Sequence, residues 1–407
     1  MYYFYYLPVG TEVKLKRTPY VTLGLVGFNS LIFVLSTFVP AFREDASLFA
    51  HFPYFPSVIT AFSATFIHGN VLHLGLNMFY LFLFGSCVED SIGRSRYLVS
   101  FLVCGAISTL VQSAVAVKLG ENPNFRIIGA SGAVAGVMGM FVVRFYYLRV
   151  KLLSLSMLFL QGVVRGAAHY MNSVAAILMW ALIQLAYGLA TAGGEGTRVA
   201  YWAHLSGLLM GIALALMFDM RRAASNQVKL IRGNRYFDKG KWYAAIGEYM
   251  TYTSLVPGDA EGRLQLARAL AITGEKRSAQ EEYEKAMSTL LKDGECEPAV
   301  ECYKEMARQV RGSCPRPSAQ LALAECSEKI GRIKDAAEIL EGFIRYYPDH
   351  PRRGAALAKY GELLASLGKY GEAVRAFDDA LRCELSDGLK RDVMRRRDSL
   401  AAMASGS

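Results

Sequence analysis

The sequence predicts an all-α protein in two parts, a six-span transmembrane helical bundle followed by a soluble α-solenoid of helix pairs. Three observations carry that prediction. The chain has 407 residues, 53% of them hydrophobic, and its mean hydropathy of +0.23 is too high for an ordinary soluble protein of this length. The apolar residues crowd into the first half. From about residue 225 the composition turns charged and Ala-rich with a helical pattern, which places a domain boundary there.

Residues 1–19 read as a cytoplasmic N-terminal segment that ends in Lys14, Lys16 and Arg17. Residues 20–220 form the membrane domain, with spans at about 20–40, 68–87, 96–117, 128–148, 171–191 and 199–218, each near the length that crosses a ~30 Å hydrocarbon layer. The first stretch lacks a small-residue cleavage site and is read as a span, not a removed signal. The segment 149–170 is mildly amphipathic and reads as interfacial. Residues 221–229 read as a linker, 230–385 as the solenoid, and 386–407 as a capping helix with a tail.

Loop charges set the orientation. With the N-terminus inside, the cytoplasmic segments hold thirteen cations: Lys14, Lys16, Arg17, Arg94, Arg96, Arg144, Arg149, Lys151, Arg165, Arg221, Arg222, Lys229 and Arg232. The opposite side holds four, Arg43, Lys118, Arg126 and Arg198. Both termini are therefore expected in the cytoplasm, and without an organelle-targeting segment the expected membrane is a bacterial inner membrane. The same asymmetry explains most of the formal charge of +10, so nucleic acid is not expected as a partner. The seven cysteines include no Cys-x-x-Cys pair. Five fall in the half placed in the reducing cytoplasm, so free thiols are expected.

Polar side chains inside a span are costly and mark packing or function. The second span carries His68, His73 and Asn77, the last two four apart and so on one helix face. Ser131 opens the fourth span within "IIGASGAVAG", and His204 stands about one turn into the sixth. At ~1.5 Å of rise per residue, Ser131, His204, His73 and Asn77 all lie within roughly 6–14 Å of the outer interface. Groups at one level imply a shared pocket that water can reach. Gly132, Gly136 and Gly139 form a small-residue face on the fourth span, and Gly207 and Gly211 share the face of His204 on the sixth. Two such faces let backbones approach and bring the Ser131 hydroxyl toward the His204 imidazole. A serine needs that base to take its proton. With no carboxylate in the pocket the pair is a dyad, not a triad. Backbone N–H groups at the start of the helix, including that of Gly132, with Asn77 and His73, would meet the oxyanion. The soluble-hydrolase elbow Gly-x-Ser-x-Gly is excluded, because Ala133 stands at its last position.

These residues resemble the rhomboid family of intramembrane serine proteases. The likeness rests on His-Gly-Asn-x-x-His-Leu-x-x-Asn from His68 to Asn77, Gly-Ala-Ser-Gly-Ala from Gly129, and Ala-His-x-x-Gly-x-x-x-Gly ending at Gly211. "GSCVEDSIGRSRYL" adds Glu89 and Gly93. The resemblance covers roughly residues 18–220. It implies a six-span fold, Ser131 as nucleophile, His204 as general base, and Asn77 and His73 at the oxyanion. Gly129, Gly136, Gly207, Gly211 and His68 would be structural near the site. It also implies transmembrane protein substrates cut near the outer boundary of the lipid bilayer, with no cofactor and no metal. One departure is the first loop, 41–67, which reads "HFPYFPSVITAF" without the Trp-Arg pair common in the family.

In the second half, Gly240, Gly274, Gly294, Gly331 and Gly368 each precede an alanine by five: Ala245, Ala279, Ala299, Ala336 and Ala373. Four residues further stand Tyr249, Tyr283, Tyr303, Leu340 and Phe377, while Pro257 and Pro348 follow where a helix should stop. The pattern resembles tetratricopeptide repeats, which implies a peptide or protein ligand. The alanine steps are 34, 20, 37 and 37. The step of 20 is too short for a helix pair, so one helix is expected to be shared or missing. An intramembrane protease with a cytoplasmic interaction domain is therefore the favoured reading. A non-catalytic membrane scaffold is the alternative, and intact Ser131, His204 and Asn77 speak against it.

Overall fold

The computed structural model describes residues 2–40, 42, 48–158, 163–191, 199–310, 312 and 314–404. The chain divides into two compact units, Met1–Ser225 and Asn226–Ser407.

The first unit contains strand β1 (Tyr2–Thr11), helix α1 (Tyr20–Phe38), short helix α2 (Val58–Ser63), α3 (Val71–Ile92), α4 (Arg94–Lys118) and α5 (Ser131–Arg144). Strands β2 (Arg149–Leu158) and β3 (Val163–Asn172), then helices α6 (Ser173–Ala190) and α7 (Tyr201–Met217), complete it. Among the described residues, four helices are long and apolar enough to cross a membrane: α1, α3, α4 and α6. Helix α7 reaches that length only together with the helix that follows it. Helix α5 has 14 residues, a reach of about 21 Å at 1.5 Å per residue. The fourth stretch thus begins its helix at Ser131, not at residue 128, because 127–130 follow a non-helical path.

The unit also carries a sheet that the all-α reading did not include. β1, β2 and β3 pair antiparallel in that order, with Thr11 opposite Val150 and Arg149 opposite Asn172. The segments 1–19 and 149–170 are therefore largely strand. The reason lies in their periodicity: "LLSLSML" alternates every second residue, as a strand does, not every third or fourth. "YYFYYL" is aromatic and favours a pleated surface. An ion pair from Arg149 to Glu12 (2.9 Å) ties the same two segments. Arg43, Arg198 and the Arg165 side chain lie outside the described residues.

Buried Glu89 fixes where α1 begins. Its carboxylate accepts from the N–H groups of Val21 (3.0 Å) and Thr22 (2.7 Å) and from the Thr22 hydroxyl (2.8 Å), satisfying donors that an α-helix leaves unpaired at its N-terminus. Just beyond, Gly93 has φ +81 and ends α3, a backbone setting that a Cβ strongly disfavours. Helix α5 forms the centre: residues 132–141 are all buried, against α4 on one side and α7 on the other.

The second unit is all helical among the described residues. Helix α8 (Met220–Asp238) begins in the first unit and runs without a break through 221–229 into the second, so the expected linker is helix. There follow α9 (Trp242–Leu255), α10 (Ala260–Ile272), α11 (Lys276–Lys292), α12 (Cys296–Gln309), α13 (Pro317–Lys329), α14 (Ile333–Tyr346), α15 (Arg353–Ser366), α16 (Tyr370–Leu381) and α17 (Asp387–Ala404). The five glycines close helices in the left-handed region, and the five alanines that follow them are fully buried. Pro257 and Pro348 stand two residues past the ends of α9 and α14. The 20-residue step holds a single helix between turns, α11. There the repeat also changes its core: Tyr303 is only partly buried, and Cys302 and Met306 fill the interior instead.

The cysteines depart from the expectation of free thiols. Cys296 opens α12 and Cys326 lies near the end of α13, so these neighbouring antiparallel helices bring the two together as a disulfide, with 5.2 Å between their Cα atoms. Cys87, Cys104, Cys302, Cys314 and Cys383 are free. Spacing alone could not show this pairing, because 30 residues separate the two in sequence.

Candidate active site

The site is assembled from three helices and one loop. Asn70 caps α3 by accepting from the His73 N–H (2.8 Å), which starts the helix so that His73 and Asn77 point from one face. Asn77 is buried, and one of its amide hydrogens goes to the His73 carbonyl (3.0 Å). The loop before α5 is held at each step. Ile127 pairs through its backbone with His51, and the Gly129 N–H donates to Ala64 (2.9 Å). The Ala130 N–H donates to Nε2 of buried His68 (3.4 Å). Gly129 has φ +111, and a Cβ there would overlap the His73 ring. His68 in turn meets His73 edge to face, with ring centroids 5.1 Å apart.

Ser131 is the first residue of α5. The amides of Ser131 and Gly132 have no acceptor among the described residues, as the opening turn of a helix dictates. The glycines set the approach of α7. A Cβ on Gly207 would overlap the Gly132 carbonyl, and one on Gly211 would overlap the Gly136 carbonyl, so the two helices cross in backbone contact. Gly132 and Gly136 also face the side chains of Ser108 and Cys104 on α4. The first turn of α7 is tied to α4 as well, where Gln112 accepts from the Ala203 N–H (3.1 Å).

Ser131, His204, His73 and Asn77 line one cavity of about 970 Å³. Its walls are otherwise apolar toward Leu72, Tyr80, Met138 and Trp180, with Asn70, Asn122, Asn124 and Arg126 as polar members. His68 lies behind it, supporting the loop. Among the described residues no hydrogen bond joins the Ser131 hydroxyl to the His204 ring. His204 Nδ1 instead pairs with Gln184 Oε1 at 2.8 Å, and its ring lies 5.9 Å from that of Trp180. Sequence reasoning missed both α6 residues. The signal was present: Gln184 is the one amide in the apolar stretch "SVAAILMWALIQLAYGLA", four residues after Trp180. The first loop, lacking a tryptophan, docks through Tyr54 to the Glu121 carbonyl (2.9 Å) and through Ser113 to the Pro53 carbonyl (3.2 Å).

Against known families, residues 56–221 match the Rhomboid domain. A rhomboid domain thus accounts for residues 56–221 of the membrane half. Among curated relatives, Rhomboid-like protein 11, chloroplastic, of Arabidopsis thaliana is 31% identical over 179 residues, 44% of this chain and 58% of that one. Rhomboid protein 1, mitochondrial, of Saccharomyces cerevisiae is 27% identical over 58% of this chain and 64% of its own. Rhomboid protease GlpG of Haemophilus influenzae is 26% identical over 47% of this chain and 87% of its own. The chain thus spans less than two thirds of the length of the first two. Residues 328–387 match the tetratricopeptide repeat, so the chain joins a rhomboid domain to such repeats. A crystal structure of MamA is 20% identical over 39% of this chain and 92% of its own, with a TM-score of 0.22, too low to carry an argument.

Proposed function

We propose that the rhomboid domain is an intramembrane serine endopeptidase acting on transmembrane protein substrates near the outer boundary of the bilayer. The observation that carries this reading is the shared cavity. It joins Ser131, on a helix start with free amides, to His204, His73 and Asn77. In the reaction, Ser131 Oγ bonds to the scissile carbonyl carbon while His204 Nε2 takes its proton. The carbonyl oxygen, now negative, is met by the N–H groups of the first turn of α5, that of Gly132 included, by the second Asn77 amide hydrogen and by His73. Collapse breaks the C–N bond, with His204 returning its proton to the leaving amine, and water hydrolyses the acyl-serine. The lack of a Ser131–His204 hydrogen bond in the free enzyme fits this, because such contacts commonly tighten only with substrate.

Within this proposal all six apolar helices cross the membrane, both termini lie in the cytoplasm of a bacterial inner membrane, and the repeats hold a peptide or protein ligand. Cleavage of a reconstituted model transmembrane substrate by wild type but not by Ser131→Ala is the expected result. Ser131 should also react with a phosphonate, and lose that reactivity in His204→Ala. Equal cleavage by wild type and Ser131→Ala, or no cleavage and no labelling in wild type, would sink the protease reading and leave a membrane scaffold.

A further inference from the structure

We propose that Gln184 is the positioning residue of the dyad, accepting Nδ1–H of His204 so that the imidazole keeps Nε2 free as the base for Ser131. The inference rests on the protease reading, which assigns His204 its role, but it stands on separate observations. Gln184 Oε1 lies 2.8 Å from His204 Nδ1. A carboxamide in an apolar helix is costly unless it has a partner. Along α6 every other side chain from Val174 to Ala190 is apolar, aromatic or glycine. The imidazole is thus the partner that this amide is there to meet.

A second contact comes from the same helix face. Trp180 stands one turn before Gln184, and its ring is 5.9 Å from the imidazole at an interplanar angle of 35°. Hydrogen bond and ring contact together leave the His204 side chain one orientation. A neutral imidazole carries its proton on one nitrogen or the other, and the hydrogen bond made by one decides the state of the second. With the Gln184 oxygen accepting from Nδ1–H, the lone pair resides on Nε2.

The cavity lining contains no carboxylate. Gln184 therefore performs the orienting part of the third triad member without its charge. Helix α6 joins the machinery in this way, although Ser131 and His204 stand on α5 and α7.

The test uses the full-length chain in detergent, with Gln184→Leu and Gln184→Glu. Two readouts are needed: the rate at which a fluorophosphonate labels Ser131, and the ¹⁵N NMR signals of labelled histidines, with His204 identified by its loss in His204→Ala. Gln184→Leu is expected to label about 10- to 100-fold more slowly. Its thermal unfolding should remain a single cooperative transition, showing that the slower labelling is not a loss of the fold. Gln184→Glu, which keeps an oxygen against Nδ1, should stay within about threefold of wild type. The His204 signals should report the Nδ1–H tautomer in wild type and a shift toward Nε2–H in Gln184→Leu. Wild-type labelling in Gln184→Leu, equal loss in Gln184→Glu, or an Nε2–H tautomer in wild type would each overturn the inference. If Ser131 is unreactive in wild type, the protease reading fails on its own, and the tautomer measurement still decides the role of Gln184.

Discussion

Replacing Gly211 by alanine tests the packing on which the site depends. The added Cβ would fall on the carbonyl group of Gly136, with the carbonyl carbon at 2.6 Å and Cα at 2.8 Å. All these atoms are backbone, so no rotamer change relieves the overlap. Ordinary contact for such a pair is about 3.5–4.0 Å, so the helices must part by roughly 1 Å at the crossing. Overpacking of this kind costs about 1–3 kcal/mol. The effect on reactivity should be larger in proportion, because Ser131 and His204 ride on the two helices that separate. A misplacement of ~1 Å can lower a rate about 100-fold. Gly211 itself does not line the cavity. Gly24 on α1 is the control, since a Cβ there meets nothing within 4 Å. Thermal unfolding in detergent and the rate of Ser131 labelling by a phosphonate supply both measurements. Gly211→Ala with wild-type unfolding and wild-type labelling would refute the backbone contact between α5 and α7.

Three further outcomes are expected. Glu89→Ala strands the three donors at the start of α1, the two on Thr22 fully buried, and should cost about 2–4 kcal/mol in thermal unfolding, while the folded fraction keeps its labelling rate. In the repeats, burial alone would raise the Glu305 carboxyl, but the Arg268 fork and the Tyr283 hydroxyl (2.9 Å) hold it below its ordinary value. A depressed folded value means stability that is full above the unfolded carboxylate range (~4.3) and lost as pH falls through the folded value. Protection factors of peptides from 276–310, corrected for the intrinsic pH dependence of amide exchange, should therefore fall on acidification in wild type, and fall less from a lower starting level in Glu305→Gln. Finally, protein purified under oxidising conditions, so that the reducing cytoplasm proposed for this half does not decide the result, should react with a maleimide at five cysteines when denatured without reductant and at all seven after reduction; seven in both cases would contradict the Cys296–Cys326 bond.

The sequence made the membrane helices and the residues of the cavity legible because both obey local rules. Apolar length marks a span. His73 and Asn77 share a face by spacing, and glycines at intervals of four announce a close crossing. The sheet stayed hidden because its central strand pairs with one 139 to 156 residues away in the chain, so only the period-two pattern of 152–158 hinted at it. Gln184 was overlooked for a different reason. Gln184 lies at the outer level of His73, Ser131 and His204, about 10 Å below the outer end of its stretch, but it is the lone amide of an otherwise apolar helix. The disulfide pairs the start of one helix with the end of the next, which depends on where the turn between them falls.

The early start of the non-helical path before Ser131 bears directly on the chemistry. Irregular backbone at membrane depth persists only where protein partners or a water-lined cavity satisfy its polar groups. Both conditions hold here: His51, Ala64 and His68 take up the groups of 127–130, and the cavity opens beside them. A full-length helix beginning at residue 128 would have hidden Ser131 in its second turn, with amides already bonded to carbonyls four residues earlier. By starting at Ser131, the helix leaves its first-turn amides free at the hydroxyl, where the proposed oxyanion forms. Under the proposed mechanism, the shortness of α5 is thus part of what equips this serine for attack.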